Sequence, residues 1–160
     1  MTPKSATPQQ SCLEAAYRCL SYRPRSRFEV KSWLARKGFG SRTIETTLAA
    51  LEAQGLLDDV AFARFWRESR ESFSPRSRAA LRRELRQKGV EADVATEAVN
   101  GVDEEEAAYR VGQKKATKLR PIGYDDFKKK LNAVLKMRGF SYAVIEHTVN
   151  RLWQESVKDA

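Results

Sequence analysis

One short pattern of apolar residues, a base and a glycine occurs three times in this chain and constrains its fold more than any other feature. Each copy has two apolar residues four positions apart, then the base, the glycine and an apolar residue, followed by an apolar series at helical spacing. The base–glycine pairs are Lys37–Gly38, Lys88–Gly89 and Arg138–Gly139, and the glycines are 51 and 50 residues apart. Such a period is typical of stacked supersecondary units. The pattern favours an elongated gripping surface over an enzyme pocket.

After residue 10, apolar residues recur almost everywhere at the helical period of 3.6, and no segment shows the alternation of a strand. Breaks at proline and glycine divide the chain into nine helices. We therefore predict an all-α fold of three tandem three-helix repeats, at residues 11–57, 58–102 and 103–156. The polar segment 1–10 is predicted to be a disordered tail.

Several residues predict where individual helices begin and end. Ser26 and Glu29 have the spacing of a capping box, and Gly38 is placed to end the helix that follows. Ser41 is a candidate cap for the third helix. Cys12 and Cys19 lie on one face of the first helix but too far apart for a disulfide, so they are predicted to be small core residues in a reducing cytoplasm. The three tryptophans are predicted to lie in the core or in seams between repeats.

The charge of the chain points to an acidic partner. Lysine and arginine exceed aspartate and glutamate by nine, and the pI is about 9.8. Such an excess suits nucleic acid or an acidic protein surface. No stretch is long and apolar enough to span a membrane, and no signal sequence follows Lys4. We expect a cytoplasmic protein.

Residue types that carry catalysis are sparse. His147 is the one histidine and has no carboxylate or cysteine at ligand spacing. No phosphate-binding glycine loop is present. Asp58 and Asp59 are better explained as helix caps than as metal ligands. We therefore predict no enzyme activity, no cofactor and no metal.

Basic residues form the strongest functional signal. They gather opposite the apolar stripe on the middle helices and along the segment that follows the acidic start of the third repeat. Candidate contacts to nucleic acid or another acidic partner are Arg36, Lys37, Arg78, Arg82, Arg83, Arg86, Lys88, Lys114, Lys115, Lys136 and Arg138. Contacts of this kind to phosphates would depend strongly on salt and little on base sequence. The alternative is an ordinary solvated helix face, but the base before each glycine recurs in all three repeats.

A sequence-specific DNA-reading role is a weaker interpretation. Residues 28–52 could form a helix-turn-helix. However, the helix that would enter the major groove has few base-reading side chains in its first turn.

The chain resembles the RecX family of bacterial recombination regulators from about Cys12 to Glu155. The strongest similarity lies in GLLDDVAFARFWRESR at residues 55–70, LRRELRQKGV at 81–90 and RSRFEVKSWLARKGF at 25–39. The family often has a glycine where Ser77 stands and a base where Ala80 stands. These departures put only a contact from position 80 in doubt.

The resemblance implies three tandem three-helix repeats in an elongated, curved arrangement. It also implies binding along the groove of the RecA–DNA filament, with limitation of ATP hydrolysis, strand exchange and coprotease function in DNA repair and recombination. Some members of the family bind single- or double-stranded DNA directly. We expect a monomer that binds the RecA filament and DNA without base-sequence preference. Two alternatives remain, a general DNA-binding protein that competes for DNA and a helical adaptor for an acidic protein.

Overall fold

The computed structural model describes residues 5–159, which form nine α-helices and contain no strand. The helices follow one another as three groups of three, as the repeat pattern predicts. Their bounds are α1 Pro8–Tyr22, α2 Arg27–Arg36, α3 Ser41–Ala53, α4 Asp59–Phe73, α5 Arg78–Gln87, α6 Ala92–Val99, α7 Glu104–Ala116, α8 Tyr124–Met137 and α9 Tyr142–Lys158.

The recurrent glycine ends the middle helix of each repeat. The backbone of Gly38 has φ +92° and that of Gly139 has φ +85°, a conformation that side chains with a Cβ atom rarely adopt. In the first repeat, the amide of Phe39 donates to the carbonyl of Leu34 at 3.3 Å, and the amide of Gly38 donates to the carbonyl of Ala35 at 3.0 Å. This is the Schellman arrangement, which satisfies carbonyls at the end of the helix.

The capping box predicted for α2 is confirmed. The Ser26 hydroxyl accepts from the Glu29 amide at 3.1 Å, and the Glu29 carboxylate accepts from the Ser26 amide at 3.1 Å. A second box, between Thr7 and Gln10, begins α1 at Pro8. Residues 8–10 are therefore helical rather than part of the predicted disordered tail, because the Thr7 box and a proline in the first turn start the helix early. Residues 1–4 of that tail lie outside the described residues.

Two other helix starts differ in detail from the prediction. Gly40 is the N-cap of α3, and no side chain caps it, so Ser41 is the first helical residue rather than the cap. The Asp58 carboxylate accepts from the amides of Val60 and Ala61 and caps α4 as predicted. Asp59 instead accepts from the amide of Arg27 at 2.8 Å, so this carboxylate caps α2 from 32 residues away in sequence.

The chain divides into two compact units. One contains the chain up to Phe65 together with Leu85–Ala98, and the other contains Trp66–Glu84 together with the chain from Val99 onward. The second repeat therefore contributes to both units.

Each unit has an apolar core. In the first unit, the core cluster contains Leu34 of α2 and Leu48 and Leu51 of α3, with Cys12 buried beside them, and both cysteines are free as predicted. In the second unit, helices α7, α8 and α9 enclose Leu131, Leu135 and Val149. Trp33 packs against the first core and Trp153 against the second, as predicted. Among residues 5–159, no helix is long and apolar enough to cross a membrane.

Candidate partner-binding surfaces

The eleven predicted contact residues do not form one site. Most are exposed, whereas Lys88, Lys115 and Arg138 are half-buried. The second unit brings Lys114, Lys115 and Arg138 together in one groove, and the first unit brings Arg36 and Lys88 together in one pocket. The remaining six lie outside both: Lys37, Arg78, Arg82, Arg83, Arg86 and Lys136.

The groove of the second unit, here called the basic groove, has a volume of about 340 Å³. Its cationic lining consists of Arg110, Lys114, Lys115, Lys118 and Arg138, and its apolar lining includes Phe73, Pro75, Val111 and Val134. No carboxylate of the described residues lines it. Five cations without a lining carboxylate make a strongly anion-attracting surface, and the apolar patches allow a partner to bury surface there as well.

Helix α7 supplies most of the cations because of its two-sided pattern. Ala107, Ala108 and Val111 are buried against the core, and this turns the opposite face outward. Arg110 and Lys114 lie one turn apart on that outer side. The Arg110 guanidinium donates to the carbonyl of Glu71 at 2.8 Å, which holds it at the mouth of the groove.

Arg138 contributes from the end of α8 and is held in place from the second repeat. Its guanidinium donates to the Ser74 hydroxyl, and its carbonyl accepts from the Ser77 amide at 3.1 Å. Burial, together with the nearby charges of Arg76 and Arg70, lowers the pKa of Arg138. An arginine remains protonated at neutral pH even so. Arg138 therefore keeps its positive charge in the groove, and the surrounding protein stabilises this charge only in part.

The pocket of the first unit, here called the first-repeat pocket, has a volume of about 360 Å³. Arg25, Arg36 and Lys88 supply its positive charge, and Phe28 and Trp33 supply aromatic surface. The Lys88 ammonium lies 3.4 Å from the carboxylate of Glu29, which also lines the pocket. Lys88 thus links the second repeat to the start of α2 through this ion pair, and it also contributes positive charge to the pocket.

Three other predicted contact residues have structural roles. The Lys37 ammonium lies 4.9 Å from the centre of the Trp33 ring. Arg78 donates from Nε to the carbonyl of Val102 at 3.1 Å, and Arg86 donates to the carbonyl of Val90 at 2.9 Å. These bonds orient the side chains, so their positions on the surface are defined before any partner arrives.

On α5, Arg82 and Arg83 differ from Arg86. Both are exposed, and neither has a hydrogen bond or ion pair to any residue within 5–159. Leu81 and Leu85 of the same helix are buried, whereas Arg82 and Arg83 are exposed. They are therefore available to an external anion.

The single histidine and the acidic side chains form no metal-binding group in the described part of the chain. His147 is exposed, and among residues 5–159 no group of three or more histidine, cysteine, aspartate or glutamate side chains is placed to hold a metal ion.

The list of predicted contacts omitted four residues that matter at these surfaces. Arg110, Lys118 and Arg25 belong to basic runs in the sequence, but Phe73 carries no charge and gave no signal. A second repeated segment could have identified Arg25 and Phe73. The sequence Pro-Arg-Ser-Arg occurs at 24–27 and at 75–78, and an aromatic residue, Tyr22 or Phe73, lies two positions before each copy. In the structure Phe73 is 84% exposed at the groove.

Comparisons with known protein families match all three repeats. Models described as the first, second and third three-helix domains of RecX match residues 12–51, 58–99 and 103–149.

Several proteins named regulatory protein RecX are similar to the chain over most of its length. That of Chlorobaculum tepidum is 38% identical and covers 94% of each chain. That of Amycolatopsis mediterranei is 33% identical and covers 98% of this chain and 95% of the relative. That of Mycobacterium marinum is 37% identical and covers 89% and 87%.

Solved structures share the fold. A crystal structure of RecX from Lactobacillus salivarius matches with a TM-score of 0.74 at 22% identity, covering 91% of this chain and 96% of that one. A second crystal structure of a regulatory protein RecX matches with a TM-score of 0.71 at 22% identity.

Proposed function

Because the chain belongs to the RecX family of regulatory proteins, we propose that it binds the RecA recombinase filament on DNA and limits RecA activity. The activities limited would be ATP hydrolysis, strand exchange and coprotease function. The protein acts in this proposal as a binding regulator and catalyses no reaction of its own.

The observation that carries the proposal is the match of all three repeats to the family in one chain with a strongly basic surface. A RecA filament on DNA is long and carries phosphate charge along its length. Five cations line the basic groove, three line the first-repeat pocket, and Arg82 and Arg83 lie outward on α5. Several modest contacts on one chain raise the effective affinity without a single deep site.

The proposed mechanism is occupancy of the filament groove. A protein held there by several contacts would obstruct growth of the filament or loosen contacts between RecA subunits. Because each bound copy would act on the filament rather than on one subunit, inhibition is expected well below one copy per RecA subunit.

The test is ATP hydrolysis by a bacterial RecA on single-stranded DNA, with this protein added far below the RecA concentration. A strong drop in the hydrolysis rate is the expected result. An unchanged rate at substoichiometric and at equimolar protein would contradict the proposal.

A general DNA-binding role is the second candidate, and it is favoured because no carboxylate among the described residues lines the basic groove. Such a protein would inhibit RecA by covering DNA. It would then be needed in amounts that scale with DNA length, and a gel shift with naked DNA at low salt would appear over the same concentration range as the inhibition. The dependence of inhibition on DNA concentration at constant RecA separates the two mechanisms.

A further inference from the structure

The first two repeats contain the same four residues, Pro-Arg-Ser-Arg, at 24–27 and 75–78. Arg25 and Arg76 are therefore equivalent positions 51 residues apart, each at the corner before the middle helix. The Nε atom of each is buried and has no hydrogen-bond partner among the described residues. The two arginines differ in what the rest of the guanidinium meets.

Arg76 has a carboxylate partner within its own chain. Its Nη1 atom lies 3.1 Å from Glu84. The same carboxylate accepts from Arg70 Nε at 3.1 Å and from the Trp66 indole N–H at 2.8 Å. The side chain of Glu84 is 16% exposed, so this carboxylate neutralises a half-buried basic cluster.

The first repeat lacks that carboxylate. The position equivalent to Glu84 is Trp33, and the position equivalent to Arg70 is Cys19. Both residues line the first-repeat pocket beside Arg25. The structure gives Arg25 no ion pair and no hydrogen bond to any residue in 5–159. Arg25 thus keeps the position of Arg76 but has no counterion within the described chain.

The carboxylate that lines the pocket, that of Glu29, is already saturated with hydrogen bonds. Glu29 accepts two hydrogen bonds from Arg23, one from the Ser26 amide and one from Lys88. A carboxylate has about four lone-pair directions, so Glu29 has no remaining capacity for Arg25.

We propose that the first-repeat pocket binds a glutamate or aspartate side chain of an acidic partner protein, which pairs with Arg25 as Glu84 pairs with Arg76. Arg36, also on the pocket lining, adds a second cation for the same group. The inference goes beyond the proposed function, because it names the chemistry of the partner group and holds whichever protein carries it.

Two features favour a carboxylate over a phosphate. The second repeat shows that a carboxylate fits this corner of the fold, since Glu84 lies there. The aromatic surfaces of Trp33 and Phe28 suit the apolar stem of a glutamate side chain.

The experiment is a titration of the full-length, ¹⁵N-labelled protein with acetylated hexaglutamate, followed through the arginine Nε–Hε signals. The Arg25 signal is identified as the one missing from Arg25→Gln. We expect this signal to shift and saturate with hexaglutamate but not with hexaglutamine. Affinity should fall about tenfold or more in Arg25→Gln, the effect of losing one charge-assisted pair. Arg18→Gln, which removes an exposed arginine from α1, should bind as the wild type does.

A gain of the missing carboxylate gives an independent check. In Trp33→Glu, the introduced carboxylate should pair with Arg25 and block hexaglutamate, whereas Trp33→Gln should still bind it. Equal hexaglutamate affinity in the wild type and Arg25→Gln would overturn the proposal. So would an Arg25 signal that shifts with a hexathymidylate strand and not with hexaglutamate, which would make the pocket a phosphate site. Inhibition of RecA is measured separately, so its loss or retention leaves this result unaffected.

Discussion

Gly139 packs against Ala80 so closely that a Cβ atom added to Gly139 would lie 2.7 Å from the Ala80 Cβ atom. The Ser77 hydroxyl would lie 2.8 Å from it. The glycine that ends α8 therefore rests on the first turn of α5, and Gly89 rests in the same way on Phe28 at the start of α2. In the second and third repeats the recurrent glycine therefore has two roles, because it ends a helix and makes room for the preceding repeat.

This packing predicts that Gly139→Ala destabilises the protein more than Gly38→Ala does. Both glycines have positive φ, at +85° and +92°, so alanine is strained at either position. Gly38 has no atom within 4 Å of an added Cβ, and so it isolates the backbone strain. We expect Gly139→Ala to lower the free energy of unfolding by about 1–3 kcal/mol beyond the Gly38→Ala effect, the usual cost of overpacking. Urea denaturation followed by circular dichroism measures the free energy of unfolding of both variants. An equal decrease in the two would contradict the close packing of Gly139 on Ala80.

The interactions of Glu29 predict a pH-dependent contribution to stability. Burial raises the pKa of Glu29, but hydrogen bonds from Arg23 and the Ser26 amide and the charges of Arg23 and Lys88 outweigh it, so the pKa lies below its ordinary value of 4.5. The contribution is therefore fully present above pH 4.5 and is lost as pH falls through the lowered pKa.

The test of this contribution compares the wild type with Glu29→Gln. Glutamine preserves the capping box but removes the charge. We expect the wild type to be more stable by about 1–3 kcal/mol at pH 7, as for hydrogen bonds to a charged group. The difference in the free energy of unfolding should narrow as the pH is lowered from 5 to 3. A difference that stays constant over that range would show that the charge of Glu29 does not stabilise the fold.

The basic groove predicts which lysines matter for inhibition of RecA. We expect Lys114→Gln, Lys115→Gln and Lys118→Gln, combined in one protein, to raise the concentration needed for half-inhibition by about tenfold or more. Each lost ion pair of this exposed kind contributes up to about 1 kcal/mol. The control removes the same charge from α8 outside the groove, through Lys128→Gln, Lys129→Gln and Lys130→Gln. If both triple variants lose inhibition equally, net charge rather than the groove determines binding.

The outward arginines of α5 predict a second contribution. Arg82→Glu with Arg83→Glu should weaken or abolish inhibition while the helical circular dichroism stays intact, because neither side chain stabilises the described fold through a hydrogen bond or ion pair. Arg86 is left unchanged because it donates to the carbonyl of Val90. Arg18→Glu with Arg64→Glu, also exposed, is the matched charge reversal. Full inhibition of RecA by the α5 variant would show that this helix is not part of the binding surface.

Local signals predicted the helices well, and long-range contacts account for what was missed. The Ser26–Glu29 box and the glycine stops depend on residues close in sequence, so the residues themselves contain the information. Asp59 was predicted to be a helix cap, but the sequence did not indicate that the helix it caps is α2, through the amide of Arg27. No periodicity encodes a contact between segments so far apart.

The binding surfaces were predicted only in part for the same reason. The charge of Lys114 and Arg138 is evident in the sequence, but their meeting in one groove depends on how α7 and the end of α8 pack. Likewise, the missing counterion of Arg25 becomes visible only when Trp33 and Glu84 are compared at equivalent places in two folded repeats.

The seam bonds between repeats also bear on the order in which the protein folds. The Ser26 hydroxyl donates to the carbonyl of Lys88, 62 residues away in sequence. The Arg138 guanidinium donates to the Ser74 hydroxyl, 64 residues away. Contacts within each helix and its neighbour are local and form quickly, whereas closing such long loops is slow. We therefore expect the seam contacts to form late in folding. Substitutions there should accelerate unfolding while leaving the folding rate nearly unchanged.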